Sequence, residues 1–270
     1  MDECDFSIHE ACANAPCKKH HALNPYPLTL KVVTCENEDN GGYFSCDACQ
    51  RESCGFVYEN FGGENGGSRF RLDLRCASVS EPFEYLGHDH PLYLALNPEE
   101  ERSAMCQICQ QSLDESYYCR KLNCIACDFV ICFKCATLPY KARYQHDKHF
   151  LTFYEAEGAN DHSEWCDVCE RRIADSRQKG FYSCEDCCTT LHIDCLLGED
   201  MYMKPDHNIM YKKGFTGYYM KLHILPNNTL SRPFCNTCRQ RCRQKIVFKY
   251  KEHYRFCNVS CLLYNKKIVR

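Results

Sequence analysis

Cysteine pairs recur in this chain at a fixed period, and that recurrence constrains the fold more than any other feature. Cys106-x2-Cys109 is followed after 14 residues by Cys124-x2-Cys127-x4-Cys132-x2-Cys135. Cys166-x2-Cys169 is followed after the same gap by Cys184-x2-Cys187-x4-His192-x2-Cys195. The offset between the two blocks is 60 residues. Another 60 back lies Cys46-x2-Cys49, in a unit that ends Phe70-x2-Asp73-x2-Cys76-Ala77. Thiols scattered by chance do not keep phase over three units, whereas a repeated small module does. Pairs with this spacing suit tight turns that aim two thiolates at one ion, so the pattern reads as tandem metal-binding modules.

Composition agrees. The 26 cysteines are about a tenth of the 270 residues, and Leu, Ile, Val and Phe together make up only about a fifth. That is thin for one large hydrophobic core. The expected fold class is small metal-stabilised domains, each of short β-strands with a short helix, with cross-links doing what a large core does elsewhere. A large Rossmann or barrel enzyme is excluded on the same grounds.

Local signals fit such units. His88-Asp89-His90-Pro91-Leu92-Tyr93-Leu94 and His146-Asp147-Lys148-His149-Phe150-Leu151-Thr152-Phe153 each place histidine before an alternating run that reads as a strand. Phe181-Tyr182-Ser183 reads as another strand, and a short helix is expected after His192. Cys4-x4-His9-x2-Cys12 copies the end of a unit and reads as an array cut off at its start. Cys235-x2-Cys238 and Cys257-x3-Cys261 form a divergent C-terminal block that suits one Cys4 site, with Cys242 and His253 as rival ligands. The expected division is 1–21 truncated module, 22–88 degraded module, 89–147 and 148–207 complete modules, 208–232 linker, and 233–270 divergent module.

The order H…C-x2-C…C-x2-C-x4-H-x2-C resembles the plant divergent C-one domain, a cysteine- and histidine-rich relative of the diacylglycerol-binding zinc module. The signature pieces are Phe70-Arg-Leu-Asp-Leu-Arg-Cys76-Ala77, Cys132-Phe-Lys-Cys135-Ala-Thr-Leu-Pro139 and Leu191-His192-x2-Cys195, and the resemblance covers roughly residues 1 to 210. It implies two interleaved zinc sites per module. Cys166, Cys169, His192 and Cys195 would form one, and His149, Cys184, Cys187 and a later ligand such as His207 the other. In the preceding unit, Cys106, Cys109, Cys132 and Cys135 would form a Cys4 site, and His90, Cys124, Cys127 and His146 its companion. Spacing does not choose between the histidines of each close pair, and His88 fits equally well as the closing ligand of the unit before.

The first unit departs from this pattern. Tyr26 stands where the leading His belongs, and Asn65 and Ser68 where the second Cys pair belongs. Cys46, Cys49, Asp73 and Cys76 still suit one zinc, since carboxylate is an acceptable though harder ligand. Cys17, Cys35, Cys54, Cys119 and Cys188 lie outside the grammar and read as free or buried thiols.

These sites imply about four to six structural zinc ions and no catalytic residue, because a closed four-ligand site leaves no position for substrate. The resemblance implies a non-enzymatic scaffold for a protein partner or a membrane lipid in plant intracellular signalling. Trp165-Cys166-Asp167-Val168-Cys169 offers a rival reading as a disulfide oxidoreductase, which needs a thiolate at a helix N-terminus in a βαβ context. A ubiquitin-ligase type of zinc adaptor is a second rival, but such fingers lack the leading histidine strand. Residues 239–270 carry a net +9 and the rest −12, so nucleic acid is expected at most along that tail. The start of the chain shows no basic, apolar leader and no stretch long enough to span a membrane, so a cytoplasmic or nuclear location is expected.

Overall fold

Aromatic and β-branched residues alternate with polar ones ahead of the cysteine pairs, and in the computed structural model these runs are strands that turn at the cysteines. The structure describes residues 13–34, 42–61, 69–94, 105–113, 120–155, 165–206, 208–213, 218–227 and 232–265. The N-terminal fragment, Cys35, Asn65, Ser68, Cys119 and His207 lie outside them.

Four units share one antiparallel layout. In the first, Lys18–His21 (β1), Asn24–Val33 (β2), Glu52–Phe61 (β4) and Arg69–Asp73 (β5) pair in that order, with Tyr43–Ser45 (β3) added on β4. Helix Leu74–Ser78 (α1) follows. The second unit has Leu92–Leu94 (β6), Lys121–Cys124 (β7), Val130–Cys132 (β8) and helix Phe133–Ala136 (α2), with a bridge from Phe83 to Leu92 in place of the first strand. The third has Lys141–Arg143 (β9), Phe150–Glu155 (β10), Gly180–Ser183 (β11), Thr190–His192 (β12) and helix Ile193–Leu196 (α3).

The last unit corrects the sequence reading. Residues taken as a linker form Asn208–Lys213 (β13) and Tyr218–Pro226 (β14), which pair with Ile246–Tyr250 (β15) and Tyr254–Phe256 (β16) ahead of helix Val259–Leu263 (α4). Buried Met220, Leu222 and Ile224 alternate with Lys221, His223 and Leu225, which is the period of a half-buried strand. The turn signal at Pro226-Asn227 ends that strand instead of marking a linker.

The units are not separate beads. Each has a small core, as the low aliphatic content requires, but the first three cores abut in one cluster that includes Leu28, Leu72, Leu122, Phe133, Leu151, Tyr182 and Leu196. The last unit has its own cluster around Leu222, Phe248 and Phe256, which Tyr43 of the first unit joins.

Polar clasps lock the neighbours together. Tyr58 donates its hydroxyl to the Pro16 carbonyl at 2.6 Å, and Tyr182 donates to the Pro139 carbonyl at 2.6 Å, so a tyrosine of one unit holds the tail of the unit before. The second unit has Leu122 in register with Tyr182 and makes no such bond, and Ser80 stands where the preceding tail would need its proline. Arg51 donates to the Lys134 carbonyl at 2.8 Å and Arg75 to the Thr137 carbonyl at 3.3 Å. Both therefore meet the carbonyl end of α2, where cations are favoured. The same two guanidinium groups lie 5.9 and 5.7 Å from the Tyr202 ring of the third unit.

Glu52 and Asp200 meet at this junction with buried oxygens that have no hydrogen-bond partner. Burial, with Asp200 beside it, pushes the Glu52 carboxyl up to about 7. An acid whose pKa is higher folded than unfolded costs stability once pH passes its unfolded value, and the cost grows until pH passes the folded one. We expect Glu52→Gln to stabilise the chain by about 1–3 kcal/mol at pH 8, and by about 1 kcal/mol less at pH 6. Denaturant midpoints at the two pH values measure this, and a gain that did not grow with pH would mean that Glu52 is not a strained acid.

Candidate metal centres

Every first cysteine pair sits on the same knuckle. The residue after the second cysteine takes a left-handed backbone: φ is 58° at Gln50, 55° at Gln110, 56° at Glu170 and 61° at Arg239. Its N–H donates to the carbonyl of the first cysteine at 2.8, 2.9, 2.7 and 3.1 Å respectively. The first cysteine's own N–H reaches forward to the residue five on, as Cys106 does to Gln111 at 3.1 Å and Cys235 to Gln240 at 2.8 Å. Left-handed backbone is costly for a residue with a Cβ, so the loop is held against local preference. It leaves two sulfurs side by side, facing the short helix that closes the unit.

That helix brings the other two donors. Four such groups gather within each of which the ligand atoms all lie within 4.8 Å of one another: Cys46, Cys49, Asp73 and Cys76; Cys106, Cys109, Cys132 and Cys135; Cys166, Cys169, His192 and Cys195; Cys235, Cys238, Cys257 and Cys261. The third donor of the first three sits at the N-cap of α1, α2 or α3. Asp73 serves twice, since Oδ1 accepts from the Cys76 N–H at 2.8 Å while Oδ2 accepts from the Cys49 thiol at 3.2 Å.

The second cysteine pair belongs to a different group. Cys124 and Cys127 meet both His88 and His90, with Cys127 Sγ 3.3 Å from His88 Nε2. His146, assigned to this set from the sequence, is elsewhere, with its ring 5.2 Å from Tyr144. The reason is local. The His88-to-His90 segment runs straight into β6, which pairs with β7 and so with Cys124, and the unit therefore draws both histidines from its own lead-in. In the third unit His149 Nδ1 lies 3.2 Å from Cys187 Sγ, and Cys187 is in contact with Cys184. His207 lies outside the described residues. His88 is the member that spacing left open. The signal that finds it is that both histidines precede the same strand.

The Cys46 group lies in the first unit and the Cys235 group in the last. In the last unit β15 returns through a tight turn at Lys251, where the second pair would otherwise sit. Cys242 is fully buried with its sulfur against Cys235 and 3.6 Å from Cys257, and His253 is exposed on the β15–β16 turn.

The donor chemistry suits zinc. Zn–S bonds of about 2.3 Å at tetrahedral angles put sulfurs about 3.8 Å apart. Cys109 and Cys132 are 3.8 Å apart, and Cys238 and Cys257 3.7 Å. A disulfide would need about 2.05 Å. Within the groups the thiols compete for one charge. Hydrogen bonds with Cys46 and Cys76 pull Cys49 down to about 5, while hydrogen bonds with Cys46 and Cys49 push Cys76 up. A hydrogen bond from Cys195 takes Cys166 down to about 3, while Cys195 is driven up. Burial raises Asp73 to about 6. Several buried donors that cannot ionise together are the electrostatic complement of a divalent cation.

Cys166 and Cys169, the pair of the oxidoreductase reading, lie on a turn, and His192 and Cys195 complete their group. They do not open a helix, which is what depresses a catalytic thiol. No helix of the described residues is long and apolar enough to cross a membrane.

No curated protein and no solved structure matches the chain. The family model described as C1 domain matches residues 87–136 and 144–196, and the one described as C1 domain-like, C-terminal, matches residues 222–262. The first match opens at Gly87 and so takes in His88, the histidine that the geometry adds. C1 domains are small zinc-binding modules, and over these three stretches the chain is built of C1-type, cysteine- and histidine-rich zinc modules.

Proposed function

We propose that the chain is a non-enzymatic scaffold in which zinc fixes the modules and the modules present surfaces to a protein partner. The observation that carries this is a repeated exposed side chain. Met105, Trp165 and Phe234 each stand directly before the first cysteine of a knuckle and are 49%, 55% and 59% exposed. Each is held by a bridge to the residue seven further on, Ser112, Arg172 or Arg241. Large apolar groups set out at one place on successive rigid modules are what a contact surface needs. The setting in plant intracellular signalling rests on the resemblance of the repeat grammar.

The proposed ligands are the four groups named above, His88 and His90 with Cys124 and Cys127, and, by the phase of the repeat, His146 and His149 with Cys184 and Cys187. Six groups of donors gather among the described residues, which supports an upper number of six zinc ions. With every position filled by protein, the ions hold structure and leave no site for a substrate.

Elemental analysis with a native thiol count tests this. About four to six zinc ions per chain, with reactive thiols confined to exposed cysteines such as Cys17 and Cys188, are expected. Little zinc, with a reactive pair at Cys166 and Cys169, would replace the scaffold with the oxidoreductase. Vesicles with and without diacylglycerol separate the lipid reading, and binding that survived Met105→Ser, Trp165→Ser and Phe234→Ser together would remove these side chains from the contact.

A further inference from the structure

Five thiols, not four, converge in the last unit, because Cys242 joins Cys235, Cys238, Cys257 and Cys261. Cys242 stands seven residues after the first cysteine of its knuckle. The same place holds Ser53, Leu113 and Ile173 in the other three units, all of them buried. A cysteine there could serve as a small apolar filler, the ordinary role of a buried thiol. Its sulfur, however, lies against Cys235 and 3.6 Å from Cys257, so it touches two members of the metal group.

The helix end shows how this crowding arises. In the first three units the N-cap residue is itself a donor: Asp73, Cys132 or His192. In the last unit the N-cap is Asn258, whose Oδ1 accepts from the Cys261 N–H at 2.7 Å. The donor there is the residue before it, Cys257. Asp73 caps its helix and offers an oxygen to the metal group at once, whereas here the two tasks fall to neighbouring residues. Set one residue back from the cap, Cys257 has two thiols at nearly equal range, Cys238 at 3.7 Å and Cys242 at 3.6 Å. Both separations are close to the roughly 3.8 Å between sulfurs that share a zinc ion.

Cys242 is also fixed in place. Its N–H donates to the Pro233 carbonyl at 2.8 Å, and its own carbonyl accepts from Asn227 Nδ2 at 2.7 Å. Cys261 lies on α4 and is partly exposed. A tetrahedral zinc ion takes four of the five sulfurs. We propose that Cys242 is a ligand of the last unit's ion, alternating with Cys261 as the fourth thiolate beside Cys235, Cys238 and Cys257. This rests on the zinc reading of the modules. The thiol left over keeps its proton and stands ready as a replacement ligand, since only a bound sulfur must ionise.

The zinc-loaded full chain is compared with Cys261→Ser, Cys242→Val, Cys242→Ala, and Cys242→Val combined with Cys261→Ser. Valine is close in size to the Ile173 of the third unit, so Cys242→Val removes the sulfur and keeps the packing. Elemental analysis gives the zinc content, and alkylation by N-ethylmaleimide, resolved by peptide, reads the exposed Cys238. We expect each single variant to keep the parent's zinc and the parent's slow alkylation at Cys238, because the remaining thiol completes the site. The double variant should lose about one ion per chain, with Cys238 alkylated about tenfold faster or more. Loss of the ion in Cys261→Ser alone would make Cys242 a filler and overturn the proposal. Loss in both Cys242 variants would overturn the alternation. Either failure leaves the zinc reading intact, whereas fast alkylation of Cys238 in the parent would remove that reading for this unit and the proposal with it.

Discussion

Replacing Cys106 with Ser should unfold the second unit and lower the zinc content by at least one ion per chain. Cys106 is fully buried, and hydrogen bonds from Cys109, Cys132 and Cys135 make it the thiol that ionises first in its group. Its sulfur also accepts from the Cys132 N–H at 3.4 Å, so it anchors the start of α2 as well. Serine is a poor zinc ligand, and three ligands with one gap hold the ion far less well. A structural zinc contributes about 10–16 kcal/mol in small modules, as much as the whole stability of a typical domain. We therefore expect a loss of more than about 5 kcal/mol, even allowing for a partly retained ion.

The damage should also reach the first unit, because Arg51 and Arg75 are anchored on the carbonyl end of α2. Cys188→Ser is the control. That thiol is exposed and outside the metal groups, so its loss should change stability by less than about 0.5 kcal/mol. Elemental analysis and a denaturant titration read both variants. Full zinc content in Cys106→Ser, with an unchanged denaturant midpoint, would mean that this group holds no metal.

The modular chemistry was open to reading because metal ligation fixes residue type and spacing together. A thiolate pair separated by two residues works only on a tight turn, so its recurrence every 60 residues exposes the unit without any core pattern. The partition of histidines was harder. His88 and His90 lie two residues apart, and the counterparts His146 and His149 three apart, so phase alone cannot rank them. Only the pairing of β6 with β7 shows that both histidines of a lead-in face the same cysteines. Strand β14 carries an ordinary alternation that turn residues nearby obscured.

The clasps were out of reach for another reason. Arg51 and Arg75 belong to no repeat grammar, and they meet α2 and Tyr202 only because the modules pack side by side. The bond from Tyr182 to Pro139 joins residues 43 positions apart in different units, and nothing local announces it.

Packing of this kind predicts that Tyr182→Ala will weaken the chain as a whole and not its own unit alone. Tyr182 is fully buried, among the largest such side chains, and its ring meets Phe153 edge-on. Truncation leaves a large cavity and should cost about 3–5 kcal/mol. Tyr182→Phe keeps the ring and removes only the hydroxyl, leaving the Pro139 carbonyl without that donor, for a loss of about 1–2 kcal/mol. Tyr58→Phe makes the matching cut at Pro16 and should loosen the tail it holds, with amide exchange rising around residues 13–17. The decisive reading is cooperativity. If the modules were beads, Tyr182→Ala would split unfolding into two transitions and leave the second unit at its parental midpoint. Because one buried cluster runs through three units, a single transition should move to lower denaturant, with exchange protection at Leu122 and Ile131 falling alongside that at Leu191.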